Sequence, residues 1–457
     1  MLMALISSHL SIFTFILFLS ATSLPHSSAG TPSHTLKLPL LHKNPYPPTP
    51  SEALSADNHR LSTLFSALRR RIHPYLPVTS AASSGSGQYL VSLNLGTPSQ
   101  RLLLVADTGS DLTWVSCSAC RSHCSSRAAF FPRHSATFSP YHCFDSTCKL
   151  VPQPQKPVPC NHTRLHSACR YEYSYSDGSI TNGLFSHETT TFNTSAGKLV
   201  KFKPLSFGCG FWNSGPSVSG PNFNGAHGVL GLGRGPISFS SQLGREFGHK
   251  FSYCLKDYTL SPPPTSYLLI GGGSPCRVAG KAKLSYTPLL TNPLSPTFYY
   301  IGIQSVSIND VKLRINPSVW AIDKFGNGGT VLDSGTTLTF LAEPAYRIIL
   351  AVFERLVKLP KLAEPSAGFD LCLNVSGSSR THFPQLSFEL VGGSILSPPP
   401  QNYFIDTSET VKCLALHPVT SVEGFSVIGN LMQQGYTFEF DKDRSRLGFT
   451  RHGCGLP

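Results

Sequence analysis

Two aspartates, Asp107 and Asp333, sit in near-copies of one eleven-residue phrase. Val105-Ala106-Asp107-Thr108-Gly109-Ser110-Asp111-Leu112-Thr113-Trp114-Val115 returns 226 positions later as Val331-Leu332-Asp333-Ser334-Gly335-Thr336-Thr337-Leu338-Thr339-Phe340-Leu341. Each copy ends an apolar strand in a single Asp, and the hydroxyl–Gly–hydroxyl that follows bends the chain sharply. The period is too long for a solenoid and suits two equivalent domains. Two such turns meeting at a domain interface bring two carboxylates together. Carboxylates at hydrogen-bonding distance cannot both ionise cheaply, so at acid pH they share one proton. One member can then deprotonate a water while the other protonates a carbonyl oxygen. Ser110 and Thr336 are placed to bond the outer carboxylate oxygens, and the Gly109 and Gly335 turns let the loops approach. This chemistry requires one water, no cofactor and no metal.

The elements that must position these turns read as strands. The chain has 457 residues, so two domains plus a removable segment is the natural division. Apolar residues at 40% suffice for cores. With 38 Gly and 37 Pro between short aromatic and β-branched runs, the composition argues for a mostly β protein. Tyr89, Val91, Leu93 and Leu95 alternate onto one face, and Leu102 to Val105 form a buried strand. Helices look scarce in the body of the chain; the best candidates are 344–358, with Tyr346, Ile349, Val352 and Leu356 on one face, and 238–247. Gly/Pro-rich breaks at 261–265 and 271–275 separate the two halves.

At these residues the chain resembles a pepsin-type aspartic protease, specifically the plant nepenthesin-like branch. The resemblance covers residues 86–457. It rests on Asp-Thr-Gly-Ser at 107–110, Asp-Ser-Gly-Thr at 333–336, and the downstream Val229-Leu230-Gly231 and Val427-Ile428-Gly429 that in this family thread through the Asp loops. It implies an all-β, bilobal, pepsin-like double barrel with its cleft between two lobes and a β-hairpin flap. Proton sharing by Asp107 and Asp333 is a general property of such dyads, carried over with the resemblance. Residues 171–179 resemble the flap, which places Tyr175, Asp177 and Gly178 against substrate, with Trp114 as the flap-contacting tryptophan. Ser176 stands where the family commonly has Gly. Cys372 and Cys413 resemble the second-lobe disulfide, and by the same analogy Cys209 pairs with Cys454. The seven cysteines between 117 and 169 resemble a branch-specific insertion. Read from spacing alone, Cys117-Ser-Ala-Cys120 also admits a zinc knuckle, the minor reading.

The first 85 residues are expected to be removable. An uncharged apolar run over 12–19, followed by Ala21-Thr22-Ser23, reads as a signal peptide over 1–23, since a span needs ~20 apolar residues. Residues 24–85 then form a propeptide, 86–275 the first lobe and 276–457 the second. Within the leader, 51–72 suits a basic amphipathic helix ending in Arg69-Arg70-Arg71, whose charge would neutralise the dyad until acid releases it. Thirteen cysteines and the sequons at Asn161, Asn193 and Asn374 agree with a secreted or vacuolar protein bearing disulfides and surface glycans.

Net charge is +13, of which the leader carries +4. No basic stripe with interleaved aromatics appears, so nucleic acid is not an expected partner. No stable membrane insertion and no metal site are expected; the lone Glu246–His249 spacing lacks any companion motif. A monomer acting on protein or peptide substrates is expected. The rival class is binding: a catalytically silent inhibitor of plant-wall glycosidases on the same fold, whose relatives typically carry a damaged Asp pair. Here both Asp, both Gly turns and Tyr175 are intact. A third reading, a Cys-rich extracellular structural protein, accounts for the cysteines but not for the repeated Asp turns.

Overall fold

A computed structural model describes residues 36–42, 50–61 except 52, 56 and 59, and 88–451 apart from 120–128, 155–158, 162–166, 175–178, 194–198, 216–217, 219–225, 258–265, 272–282, 363–367, 378–381 and 422–423. The expected signal peptide, Arg69-Arg70-Arg71, Tyr175, Ser176, Asp177, Gly178 and Cys454 lie outside the described residues. No helix among the described residues is long and apolar enough to cross a membrane.

The architecture is bilobal and mostly β, as the alternating apolar patterns predict. Tyr89, Val91, Leu93 and Leu95 are all buried within strand Tyr89–Leu95, which pairs antiparallel with Gln100–Asp107. The two halves are joined by a continuous run of antiparallel pairings. Ser285–Leu290 pairs with Arg446–Thr450, then Thr437–Asp441, Lys250–Cys254 and Ser266–Ile270. Across the junction Phe251 lies opposite Phe440, their rings stacked at 4.5 Å between centroids. This sheet seats the two lobes against one another.

The leader completes that sheet. Strand Leu36–His42 inserts between Ser266–Ile270 and Tyr89–Leu95, with Leu38 opposite Leu268 and Leu40 opposite Val91. Leu36, Leu38 and Leu40 are buried, the alternation of a strand with one face in the core. Residues 50, 51, 53–55, 57, 58, 60 and 61 are helical, with Ala53, Leu54, Asp57 and Leu61 buried.

Each half then builds the same substructure. Gly228–Gly231 runs parallel to Gln100–Asp107, with Val229 opposite Val105 and Gly231 opposite Asp107. Ser426–Ile428 runs parallel to Thr330–Leu332, with Val427 opposite Val331. Both glycines that follow are required by packing: a Cβ on Gly231 would strike the Asp111 backbone, and one on Gly429 the Leu338 carbonyl. The apolar–apolar–Gly segments therefore thread the Asp loops.

Two helix expectations are adjusted. Helix Glu343–Leu356 exists, but its buried face is Ala345, Tyr346, Ile349, Leu350 and Phe353, while Val352 is half-buried and Leu356 exposed. The stretch 238–247 forms two single turns, Phe239–Gln242 and Gly244–Phe247.

The disulfides correct one pairing. Cys209 bonds Cys117, not Cys454, because strand Trp114–Ser116 runs parallel to Leu199–Ser214 and sets the two Cα atoms 5.4 Å apart. Cys372 bonds Cys413 across adjacent strands, as the resemblance implied. Cys143–Cys160 and Cys148–Cys169 close the insertion, so these sulfurs are not zinc-binding thiolates.

Candidate active site

Asp107 and Asp333 each end a buried strand and turn back on themselves in the same way. Gly109 N–H donates to Asp107 Oδ1 at 2.8 Å and Ser110 Oγ to Oδ2 at 2.6 Å. Gly335 N–H donates to Asp333 Oδ1 at 3.0 Å and Thr336 Oγ1 to Oδ2 at 2.6 Å. Both carboxylates are thus fixed by donors two and three residues on, which is why the phrase needs hydroxyls at 110 and 336. Both are nearly inaccessible, with Asp333 at 0% and Asp107 at 4% relative exposure.

A second set of bonds clamps the loops together. Ser334 N–H donates to Thr108 Oγ1 at 2.9 Å, and that hydroxyl faces the Leu332 carbonyl at 3.3 Å. Reciprocally, Thr108 N–H reaches Ser334 Oγ at 3.2 Å, and that hydroxyl donates to the Ala106 carbonyl at 2.9 Å. Sequence reasoning took Thr108 and Ser334 for turn residues only. The available signal was a hydroxyl immediately after each Asp in both copies.

The leader enters this pair. Arg60 Nη2 lies 2.5 Å from Asp107 Oδ1 and 3.1 Å from Asp333 Oδ1, so a single nitrogen bridges the two carboxylates. Arg60 Nε donates to Asp333 Oδ2 at 2.8 Å and contacts Thr336 Oγ1 at 3.0 Å. A Cβ on Gly335 would crowd both this guanidinium and the Asp107 carboxylate of the opposite loop, so the glycine lets the two loops approach. Burial alone would raise the Asp333 carboxyl, but Arg60, aided by bonds from Thr336 and Gly335, holds it below the ordinary carboxylate range. Burial likewise works against the Arg60 charge, and the two carboxylates more than restore it.

One turn earlier in the leader helix, Asp57 accepts the Thr337 N–H at 2.8 Å and the Leu338 N–H. Burial pushes its carboxyl up to about 7 against those bonds and the nearby Arg60. The leader therefore grips the second Asp loop from both sides. Sequence analysis placed the neutralising charge in Arg69-Arg70-Arg71; among the described residues the group that fills this role is Arg60.

The other site expectations fall as follows. Strands Arg170–Ser174 and Ile180–Asn193 pair antiparallel, and the three flap candidates lie outside the described residues. Trp114 is fully buried. Asn161 and Asn374 are exposed, and Asn374 Oδ1 accepts the Ser376 N–H at 2.8 Å. Asn193 ends its strand. No cluster of three potential metal ligands occurs among the described residues.

Comparison with known proteins follows the same outline. Family models described as "Xylanase inhibitor N-terminal" and "Xylanase inhibitor C-terminal" match residues 89–272 and 298–451. Aspartyl protease family protein 2 of Arabidopsis thaliana is 37% identical over 82% of this chain and 73% of its own length. Aspartic proteinase nepenthesin-1 of Nepenthes gracilis is 36% identical over 83% of this chain and 80% of its own. Among solved structures, edgp superposes with a TM-score of 0.66 at 22% identity, covering 91% of this chain and 94% of that one. Soybean basic 7S globulin gives 0.62 at 19% identity, over 92% and 97%. These last likenesses concern the fold.

Proposed function

Because the chain belongs to the plant pepsin-like aspartic protease family, we propose that it is an acid endopeptidase, secreted or vacuolar, made as a latent precursor. The observation that carries this reading is the symmetric carboxylate pair, with both Asp present and each held by its own Gly N–H and hydroxyl. A peptide lies extended across the cleft beneath the Tyr175, Asp177 and Gly178 hairpin. Asp107 and Asp333 share one proton and hold a water between them. The ionised member takes a proton from that water as its oxygen bonds to the scissile carbonyl carbon. The protonated member gives its proton to the carbonyl oxygen, producing a tetrahedral diol with no covalent enzyme intermediate. Collapse of the diol breaks the C–N bond as the member that took the water's proton passes it to the amine nitrogen and the other member takes a proton from a diol hydroxyl, which restores the shared-proton pair. Ser110 and Thr336 keep the outer oxygens oriented throughout, so the inner oxygens stay aimed at the water.

Latency follows from Arg60. Its guanidinium occupies the position the water requires and favours two ionised carboxylates, the state in which neither can act as an acid. Residues 1–23 act as the signal and 24–85 as the propeptide, ahead of lobes over 86–275 and 276–457. Asn161, Asn193 and Asn374 serve as glycan acceptors.

The inhibitor reading draws on the xylanase-inhibitor description of the matching family models. The complete Asp pair weighs against it. Acid-treated protein is expected to cleave a denatured protein at pH 3–5, and Asp107→Asn to lose at least ~10³-fold in kcat, since an amide can neither accept nor share the proton. A statine-type analogue should block the parent. Folded protein without cleavage would overturn the protease reading and direct attention to glycosidase binding.

A further inference from the structure

Asp111, four residues beyond Asp107, has no place in the chemistry above, yet two segments converge on its carboxylate. Gly235 N–H donates to Oδ1 at 2.7 Å, and Thr297 Oγ1 donates to Oδ2 at 2.7 Å. The 231–235 loop closes directly on it: a Cβ at Gly233 or at Gly235 would strike the carboxylate. That loop is also what holds the Asp107 turn, because Leu232 N–H donates to the Asp107 carbonyl and Gly233 N–H to the Ser110 carbonyl, each at 2.8 Å. Thr297 belongs to the other half of the molecule. Its segment reaches the loop through Arg234 N–H to the Thr297 carbonyl at 3.0 Å and Tyr299 Oη to the Leu232 carbonyl at 2.8 Å.

Resting on the protease reading above, we propose that Asp111 is a positioning residue that fixes the Asp107 turn against the opposite lobe. Asp107 and Asp333 come from different lobes, so their alignment depends on every tie between lobes. Thr108 and Ser334 supply one tie beside the carboxylates. Asp111 supplies another on the far side of the same turn, reaching Thr297 directly and the Asp107 main chain through the 231–235 loop. A neutral side chain with one acceptor and one donor can satisfy the same pair: Asn accepts from Gly235 N–H and donates to Thr297 Oγ1. Alanine satisfies neither and leaves space against two glycines.

The test compares acid-activated parent, Asp111→Ala, Asp111→Asn and Thr297→Val on one peptide substrate. A misplacement near 1 Å lowers turnover by ~10²-fold, so Asp111→Ala is expected to lose ~10- to 100-fold in kcat with KM within ~2-fold. Asp111→Asn should recover to within ~3-fold of the parent, and Thr297→Val should lose ~3- to 10-fold in kcat, with no further loss when combined with Asp111→Ala. An Asp111→Ala protein with parental kcat and only a lower melting temperature overturns the proposal. So does an Asn variant as impaired as the Ala one, which would make charge and not bonding the cause. Should Asp111→Ala fail to fold, Thr297→Val decides: parental kcat refutes the tie. A parent that cleaves nothing overturns the protease reading and this inference with it, whereas an active parent with an unaffected Asp111→Ala overturns this inference alone.

Discussion

Replacing Arg60 by Met in the precursor should open the cleft without acid. The substitution keeps the apolar stem, which packs beside buried Leu61, and removes only the guanidinium. That group makes two contacts through Nη2 and one through Nε to the carboxylates, and its side chain is 16% exposed while theirs are 6% and 0%. Removing one partner of a buried ion pair destabilises by ~3–5 kcal/mol because the remaining charge is stranded. At ~1.4 kcal/mol per tenfold, the population with its leader helix disengaged should rise by roughly 100- to 3,000-fold near neutral pH. The dyad can relieve part of that strain by binding a proton, so the lower figure is the safer expectation below pH 5. Strand Leu36–His42 stays seated in its sheet, so the change is a local opening and not loss of the leader. The assay is binding of an immobilised statine-type analogue at pH 6 by unprocessed protein. Arg60→Met should bind, the parent should not, and Arg60→Lys should fall between, since a point charge cannot reproduce the fork. If Arg60→Met remains as closed as the parent, latency resides in the strand and in Ala53, Leu54 and Leu61, and the ion-pair argument is refuted.

The other predictions concern the pH of release and the clamp between loops. Asp57, pushed up to about 7 when docked, takes up its proton in the docked state before the free leader would, so its contribution to docking is fully present below the free value and fades as pH rises through 7. Asp333 has the opposite sign: Arg60 depresses it in the docked state, so docking is favoured at higher pH and lost as pH falls through its docked pKa. Asp57→Asn removes the term that resists release and one of the two acceptors for the Thr337 and Leu338 N–H groups, leaving a buried donor unmet at ~1–3 kcal/mol, so release should shift up by about one pH unit or more. A downward or absent shift in the activity-versus-activation-pH curve would count against this assignment. Thr108→Val strands the Ser334 N–H and the Leu332 carbonyl, each at ~1–3 kcal/mol, and urea unfolding should report the loss as a lower midpoint at unchanged slope.

What the sequence made legible was whatever local pattern encodes. Strand alternation placed Tyr89, Val91, Leu93 and Leu95, and the repeated phrase marked both Asp turns, because a period of two and a chemically distinctive tripeptide survive without knowledge of the fold. Arg60 was not legible. In the leader the densest charge is Arg69-Arg70-Arg71, and nothing in the local pattern distinguishes Arg60 from any solvated helix cation. Its role appears only when the docked helix brings it to two carboxylates 47 and 273 residues away. Cys209 illustrates the same limit, since its partner is set by the parallel register of two strands and not by cysteine spacing. For helix Glu343–Leu356 the element and half of its face were legible, since Tyr346 and Ile349 are buried, but the buried stripe also takes in Ala345, Leu350 and Phe353 and leaves Leu356 exposed.

The near-identity of the two Asp loops has a mechanistic consequence. Each carboxylate has one backbone donor and one hydroxyl donor at matching offsets, with distances that differ by 0.2 Å or less. Bonds this alike cannot by themselves decide which Asp carries the shared proton. The occupant of the cleft must break the tie. Arg60 does not break it, because its guanidinium favours both carboxylates ionised, although it gives Asp333 both Nε and Nη2 and Asp107 only Nη2. On the protease reading, a substrate carbonyl brings no positive charge to replace the guanidinium. On that reading the shared proton is therefore bound only once Arg60 has left, and substrate decides its place. A symmetric pair of loops suits that exchange, because either carboxylate is equally well supported in either role.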